Sequence, residues 1–124
     1  MRRIIEKGYN IIIVTNQYII EEGYISYSKY NILNDAMCKK LKNEGIELLD
    51  IFYCPHARSR RCNCRKPGTG MIERAMQKYS NIDKKRSFLA GDSDCDEQLA
   101  KRCGMQFYRV CKTFDLLSVS NELT

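Results

Sequence analysis

The stretch YNIIIVT, from Tyr9 to Thr15, decides the fold of this chain. It has the length of a β-strand, is rich in β-branched residues and does not alternate apolar with polar side chains. This pattern is typical of a parallel strand covered on both faces. The residues before it, 2–8, predict the last turns of a helix that ends at Gly8.

The rest of the chain continues this alternation of helices and strands. Apolar spacing predicts helices over residues 28–43, 70–79 and 94–103 and strands over residues 46–53, 85–90 and 105–110, with little pattern after Cys111. Strands joined by helices in this way favour a three-layer, Rossmann-like α/β fold, in which helices cover both faces of a parallel sheet. The 124 residues are enough for a single domain, 1–124, and too few for two.

The composition says more about the cellular location of the protein than about its binding partner. A net charge of +6 permits binding to phosphorylated metabolites, nucleic acid or an acidic protein without choosing among them. No stretch approaches the roughly 20 apolar residues that a membrane span needs. The chain opens with Met1-Arg2-Arg3 and carries seven cysteines but no signal peptide pattern, so we expect a cytoplasmic protein whose cysteines are thiols or metal ligands.

Four potential metal ligands stand close together in the sequence. Cys54, His56, Cys62 and Cys64 follow the spacing C-x-H-x5-C-x-C within eleven residues, and His56 is the one histidine of the chain. Three cysteines and one histidine are a common tetrahedral ligand set for structural zinc, and they leave no open position for a catalytic water. The alternative, a loop of unligated thiols, is weakened by this density of ligands. The cluster therefore predicts a structural zinc site in the loop 54–67.

Polar residues at the predicted strand ends could handle a phosphate group, because ligands bind at the carboxyl ends of parallel strands. Thr15 closes the first strand, Lys66 offers a positive charge after the cysteine loop, and Asp92 follows Gly91 at a later strand end. A lysine could offset phosphoryl charge and an aspartate could bind Mg²⁺. Each of these residues could instead have a purely structural role. An acid such as Asp96, for example, is favourable in the first turn of a helix because of the helix dipole.

Four motifs together carry a family resemblance. They are VTNQ at 14–17, CPH at 54–56, CNCRKP at 62–67 and GDSDCD at 91–96, in this order. The chain resembles the zinc-containing branch of the haloacid dehalogenase superfamily, which holds D,D-heptose 1,7-bisphosphate phosphatases and histidinol-phosphate phosphatases. The resemblance covers most of the chain, and the zinc loop that runs into CRKP is its most specific part.

The resemblance implies a role for each motif. Thr15, with Asn16 and Gln17, would bind the transferring phosphoryl group. Lys66 would stabilise that group, and Arg65 would take part in substrate recognition. Magnesium would be held by Asp92, with Ser93 or Asp96 beside it, and zinc by the four ligands of the loop that carries Arg65 and Lys66.

One family motif has no counterpart in the chain. The family opens with a strand ending in DxDGT, whose first aspartate is the nucleophile and whose second is the general acid and base; these 124 residues contain no such motif. We therefore expect a haloacid dehalogenase-like sheet without its first central strand, and negligible phosphatase activity of the chain by itself. A missing N-terminal segment, a degenerate family member and a strand donated by another chain, as in a homo-oligomer, are the open explanations.

The leading hypothesis is a phosphatase-type domain for a small phosphorylated metabolite, with a heptose bisphosphate slightly ahead of histidinol phosphate. The alternative of another class is a non-enzymatic, zinc-stabilised binding module. Its basic loop, residues 58–66, would meet nucleic acid or an acidic partner. A binding module has no need of Thr15 and Asp92 at strand ends, so a nucleic-acid partner is the weaker interpretation.

Overall fold

The structure, a computed structural model, describes residues 1–111 and 115–123. Helices and strands alternate along the chain as expected. In order they are α1 (Arg2–Glu6), β1 (Ile12–Asn16), α2 (Tyr27–Asn43), β2 (Asp50–Cys54), α3 (Gly70–Lys78), β3 (Phe88–Gly91), α4 (Asp94–Cys103), β4 (Gln106–Arg109) and α5 (Leu116–Glu122). A single 3₁₀ turn, Lys84–Arg86, precedes β3. The predicted α/β class is confirmed.

The last helix, α5, is absent from the sequence prediction. Its N-cap is Asp115, whose carboxylate accepts hydrogen bonds from the backbone N–H and the hydroxyl of Ser118. These bonds lower the pKa of Asp115 below its ordinary value. The cap is the local signal that could have revealed this helix, because aspartate at an N-cap satisfies a backbone donor that the helix leaves unpaired.

Residues Met1–Cys62 form one compact unit around the pair β1 and β2. The two strands are parallel, with Ile12 opposite Asp50 and Asn16 opposite Cys54, so both end at the same edge. The buried Tyr30 of α2 packs against Tyr53, with ring centroids 4.7 Å apart. Ser26 caps α2 by accepting a hydrogen bond from the backbone N–H of Lys29.

Residues Asn63–Thr124 form a second compact unit around the pair β3 and β4. These strands are also parallel, from Phe88 opposite Gln106 to Gly91 opposite Arg109. The core of this unit contains side chains with no exposed surface, namely Met71 of α3, Leu99 of α4 and Val119 of α5. Helix α4 ends at Gly104, whose φ of +70° suits a left-handed cap.

The predicted parallel pairing is confirmed, but the pattern of burial differs from expectation. Within the described residues the four strands form two separate pairs, so β1 has one hydrogen-bonded neighbour, β2. Every residue of β1 is half-buried, although the YNIIIVT pattern predicted a strand covered on both faces. The single domain over 1–124 stays a prediction. No helix among the described residues is long and apolar enough to cross a membrane.

Candidate functional site

The predicted zinc ligands come together at the end of β2. Cys54 is the last residue of that strand, and its Sγ lies 3.4 Å from Nδ1 of His56 and 3.6 Å from Sγ of Cys62. With Cys64 added, the four ligand atoms all lie within 4.8 Å of one another. Two sulfurs that share one tetrahedral Zn²⁺ at about 2.3 Å are about 3.8 Å apart, so the spacing fits such an ion.

The first and last ligands of the cluster, Cys54 and Cys64, are buried from solvent. Cys54 is 1% exposed and Cys64 is 6% exposed. None of the seven cysteines, all of which lie in the described part of the chain, is in a disulfide. Three thiols and an imidazole gathered in one loop can therefore all serve a metal, and the predicted metal-binding cluster is confirmed as a geometric arrangement.

The segment that follows the cluster is tightly wound. The carbonyl of Asn63 accepts a hydrogen bond from the N–H of Gly70 at 2.9 Å, and the carbonyl of Arg65 accepts one from Gly68 at 2.7 Å. A Cβ at either glycine would collide with the backbone of Asn63. Both glycines are thus required for the close turn that presents Lys66.

Lys66 is held by a buried carboxylate. Its Nζ donates a hydrogen bond to Oδ1 of Asp96 at 2.7 Å, with the two side chains 14% and 8% exposed. The other oxygen of Asp96, Oδ2, accepts from the hydroxyl and the backbone N–H of Ser93. Burial acts to raise the pKa of Asp96, but the bonds from Lys66 and Ser93 outweigh it and lower that pKa below its ordinary value.

These contacts give Ser93 and Asp96 structural roles, and the magnesium ligation that the resemblance implied for them stays a prediction. Ser93 and Asp96 form a reciprocal capping box at the start of α4. Both carboxylate oxygens of Asp96 are engaged by protein donors, which favours it as the counter-ion of Lys66. Gly91 makes room for this arrangement, since a Cβ there would collide with the carboxylate of Asp96.

Asp92 is placed differently. It is exposed, directly after β3, and none of the residues described in the structure donates a hydrogen bond to its carboxylate. Its backbone carbonyl accepts a hydrogen bond from Nη1 of Arg109 at 3.1 Å, which fixes the main chain. Asp92 also lines an open cavity of about 460 Å³ with Val110 and the start of α5. It therefore remains the candidate magnesium ligand.

We expect the buried pair of Lys66 and Asp96 to be important for stability. Asp96→Asn would leave the ammonium of Lys66 without its counter-ion in a largely buried position, at a cost of about 3 kcal/mol. Because the folded-state pKa of Asp96 is lowered, the stabilisation is present above the unfolded pKa of about 3.9 and is lost as pH falls through the folded value. Urea unfolding at pH 7 and below pH 4 measures both effects.

The matched control for this prediction is Asp94→Asn, because the side chain of Asp94 is 88% exposed on the same helix turn. The stability difference between the Asp96 and Asp94 variants should be large at pH 7 and shrink below about pH 4. Equal stability of the two variants at pH 7 would contradict the role given to Asp96.

Thr15 and Gln17 lie at the end of β1, in the first unit. The side-chain amide of Gln17 donates to Oγ1 of Thr15 at 3.1 Å. The backbone N–H of Gln17 donates to the carbonyl of Cys54 at 2.7 Å, so the turn after β1 is joined to the start of the metal loop. The role of Thr15, Asn16 and Gln17 in phosphoryl binding stays a prediction.

Two glutamates that sequence reasoning missed neutralise part of the basic loop. Arg58 donates from Nε and Nη2 to the carboxylate of Glu22 at 3.2 and 3.0 Å. Arg60 donates to Glu21 at 3.1 Å. Arg58 also lies over the ring of Tyr18, 4.4 Å from its centroid. Because these two arginines already have acidic partners, the loop is a poorer surface for nucleic acid than its sequence predicted.

The aspartates outside the GDSDCD motif have structural roles or stand on the surface. The carboxylate of Asp50 accepts from the backbone N–H of Ile51, and that of Asp83 accepts from Lys85 in the 3₁₀ turn. Asp115 caps α5, and Asp35 is exposed on α2. None of them follows a strand in the way that a DxDGT nucleophile would.

A comparison with protein families decides the relationship. The family described as polynucleotide kinase 3 phosphatase matches residues 1–114. The chain belongs to this family. This family match confirms the predicted resemblance to phosphatases of the haloacid dehalogenase type.

Curated relatives of this family member carry two kinds of name. D-glycero-alpha-D-manno-heptose-1,7-bisphosphate 7-phosphatase of Photorhabdus laumondii is 43% identical over 120 residues, which cover 91% of this chain and 65% of the relative. The histidine biosynthesis bifunctional protein HisB of Campylobacter jejuni is 37% identical over 102 residues, which cover 82% of this chain and 29% of the relative. The chain thus spans less than two thirds of the length of either protein.

A solved structure supports the fold of this family member. The D,D-heptose 1,7-bisphosphate phosphatase from B. bronchiseptica, in complex with magnesium and phosphate, superposes with a TM-score of 0.86 at 26% identity. The match covers 98% of this chain and 77% of the other. The predicted α/β fold of haloacid dehalogenase type is confirmed, and so is the presence of both heptose and histidine branches among the relatives.

Proposed function

We propose that this chain carries the phosphate-handling part of a phosphatase for a small phosphorylated metabolite, with a sugar bisphosphate of the heptose 1,7-bisphosphate type as substrate. The observation that carries the proposal lies in the second unit, where Lys66 is paired with Asp96 and Asp92 is exposed between β3 and the helix that carries Asp96. A fixed ammonium group offers positive charge and N–H donors, both of which suit it to a phosphate group.

In this proposal each residue has a separate task. Lys66 stabilises charge on the phosphoryl group, and Asp96 fixes its position. Asp92 ligates Mg²⁺, a hard cation that prefers carboxylate oxygens. Thr15, Asn16, Gln17 and Arg65 contact the phosphoryl group or the rest of the substrate, as the resemblance implies. The magnesium and phosphate in the related heptose bisphosphate phosphatase support these assignments.

We further propose that the metal of the cysteine loop is Zn²⁺. Cys54, His56, Cys62 and Cys64 offer the three thiolates and one imidazole that a closed zinc site uses. Zinc in such a site supplies folding energy to its loop and takes no part in the reaction. Since ligand thiolates need a reducing environment, a cytoplasmic location fits this site and stays a prediction, as does self-association.

The second candidate substrate is histidinol phosphate. It is favoured by the relatives named as histidine biosynthesis proteins. A nucleic-acid substrate is disfavoured by the pairing of Arg58 and Arg60 with glutamates, although the family's name refers to polynucleotides. A binding assay that compares the three ligands separates these functions.

Asp92→Asn is expected to weaken the binding of magnesium and phosphate without loss of the fold. Asp92 is exposed and its carboxylate has no donor among the described residues, so its removal leaves no buried group unpaired. We expect the rise in unfolding temperature on adding Mg²⁺ and heptose 1,7-bisphosphate to fall by more than half. Thermal unfolding with heptose 1,7-bisphosphate, histidinol phosphate and a 3′-phosphorylated oligonucleotide measures binding and substrate class together.

The control is Asp35→Asn, the same change at an exposed position of α2 in the other unit. It should leave the ligand response of the wild type unchanged. A magnesium-dependent response that survives in Asp92→Asn would contradict the assignment of the metal ligand. A response to the oligonucleotide alone would contradict the proposed substrate class.

A further inference from the structure

The turn after β1 and the first half of the metal loop are joined by backbone and side-chain hydrogen bonds. We call residues 17–22 the 17–22 turn. Its backbone N–H groups at Gln17 and Glu21 donate to the carbonyls of Cys54 and Pro55, at 2.7 and 3.1 Å. These two bonds connect the turn directly to a metal ligand and to the residue after it.

A side-chain clamp, Glu22 with Arg58, closes the other end of the same turn. Oε2 of Glu22 accepts from the backbone N–H of Arg58 at 2.8 Å and from its Nε at 3.2 Å, while Oε1 accepts from Nη2 at 3.0 Å. Glu22 thus holds the main chain of the metal loop as well as a side chain. The side chain of Glu22 is 19% exposed, and the guanidinium of Arg58 lies over the ring of Tyr18.

The geometry of the clamp differs from that of an ordinary surface ion pair. A single exposed pair contributes little because both side chains remain mobile. Here a bidentate guanidinium contact and a backbone hydrogen bond fix one carboxylate, and bidentate contacts are both stronger and more specific in direction. The backbone amide that Glu22 holds lies two residues beyond His56, which is a metal ligand candidate.

We infer that metal binding and the ordering of the 17–22 turn are thermodynamically coupled, and that Glu22 and Arg58 are the positioning residues that couple the two. A metal bound by Cys54, His56 and Cys62 fixes the loop on which the turn rests. In return, the clamp holds the loop in the shape that the metal needs. Thermodynamic linkage makes this effect reciprocal: if the clamp raises the affinity of the loop for the metal, bound metal must stabilise the clamp to the same extent.

The coupling has a consequence for the residues at the end of β1. Gln17 begins the turn and donates to Oγ1 of Thr15. If Thr15 contacts a phosphoryl group, as the proposed function holds, the metal would position that contact through the turn and not through its own chemistry. The coupling itself does not depend on the phosphatase proposal.

Hydrogen exchange of the zinc-loaded full chain tests the inference. Four amides of the turn are hydrogen-bonded, at Gln17, Ile20, Glu21 and Glu22, and slow exchange there reports its order. With zinc still bound, Glu22→Gln should raise exchange in residues 17–22 and raise the zinc dissociation constant by about two- to fivefold. Arg58→Gln should have the same effect, and the double variant should add little to either change.

Glu47→Gln is the matched control, since Glu47 is an exposed glutamate of the same unit. It should leave both exchange and zinc affinity at wild-type values. Removal of zinc from the wild type with a chelator should also raise exchange in the turn. Metal content is measured on each sample, so loss of zinc and loss of turn order are observed separately.

The inference is overturned if Glu22→Gln matches Glu47→Gln in both readouts, or if the turn keeps its slow exchange after the zinc has left. Fully additive effects of the two clamp variants would also overturn it. If chelation loosens the whole chain, the zinc-bound variants decide the outcome. None of these readouts uses substrate, so failure here is distinct from failure of the phosphatase proposal.

Discussion

Cys64→Ser is expected to remove the metal from the chain and to unfold its loop. A serine hydroxyl is a poor replacement for a thiolate, and loss of one of four ligands opens a closed zinc site. Because the unfolded loop has no preformed site, the metal's binding free energy, on the order of 10 kcal/mol for structural zinc, contributes to folding. Metal analysis of the purified protein and thermal unfolding with and without a chelator measure the two losses.

Cys111→Ser provides the control for this prediction. It makes the same chemical change at an exposed cysteine outside the metal cluster, so zinc content and unfolding temperature should remain those of the wild type. Cys62→Ser should behave like Cys64→Ser. Wild-type protein with less than about half an equivalent of zinc would count against the whole assignment.

The purified chain by itself is expected to show negligible phosphatase activity. Covalent phosphoryl transfer needs a nucleophile, and loss of such a group lowers turnover by at least about 10⁴-fold. The chain has no DxDGT motif, and Asp50, Asp83 and Asp115 accept local backbone hydrogen bonds. Phosphate release from heptose 1,7-bisphosphate and histidinol phosphate in the presence of Mg²⁺ measures this.

A family member that contains the DxDGT motif, assayed at the same enzyme concentration, is the positive control. Turnover by this chain near the rate of that protein would show that another group acts as nucleophile. Ligand binding without turnover is the combination that the proposed function predicts.

The features predicted well from sequence are those that depend on residues close together in the chain. Helix α4 has the predicted bounds, because Ser93 caps its start and Gly104 ends it. The metal ligands are gathered within eleven residues, so their spacing alone indicates a site. In contrast, β2 begins at Asp50 and not at residue 46, because pairing with Ile12 starts there.

The features that sequence reasoning missed depend on distant partners. Glu22 and Arg58 are 36 residues apart, and no local pattern links an acidic pair before a helix to a basic loop after a strand. Asp96 fits the first turn of α4 equally well as a metal ligand or as a capping residue. Its contact with Lys66 lies 30 residues away in the sequence, and no local pattern indicates that pairing.

The close contact between Gly91 and Asp96 restricts the order in which substitutions at these positions can be accepted during evolution. Any larger residue at position 91 would occupy the space of the Asp96 carboxylate. A substitution at 91 is therefore harmful while Asp96 is present and becomes tolerable only after position 96 has become smaller. Asp96 in turn cannot be shortened while Lys66 needs its charge, and Lys66 cannot lose its charge while the buried carboxylate of Asp96 needs a partner, so the three positions constrain one another's evolution.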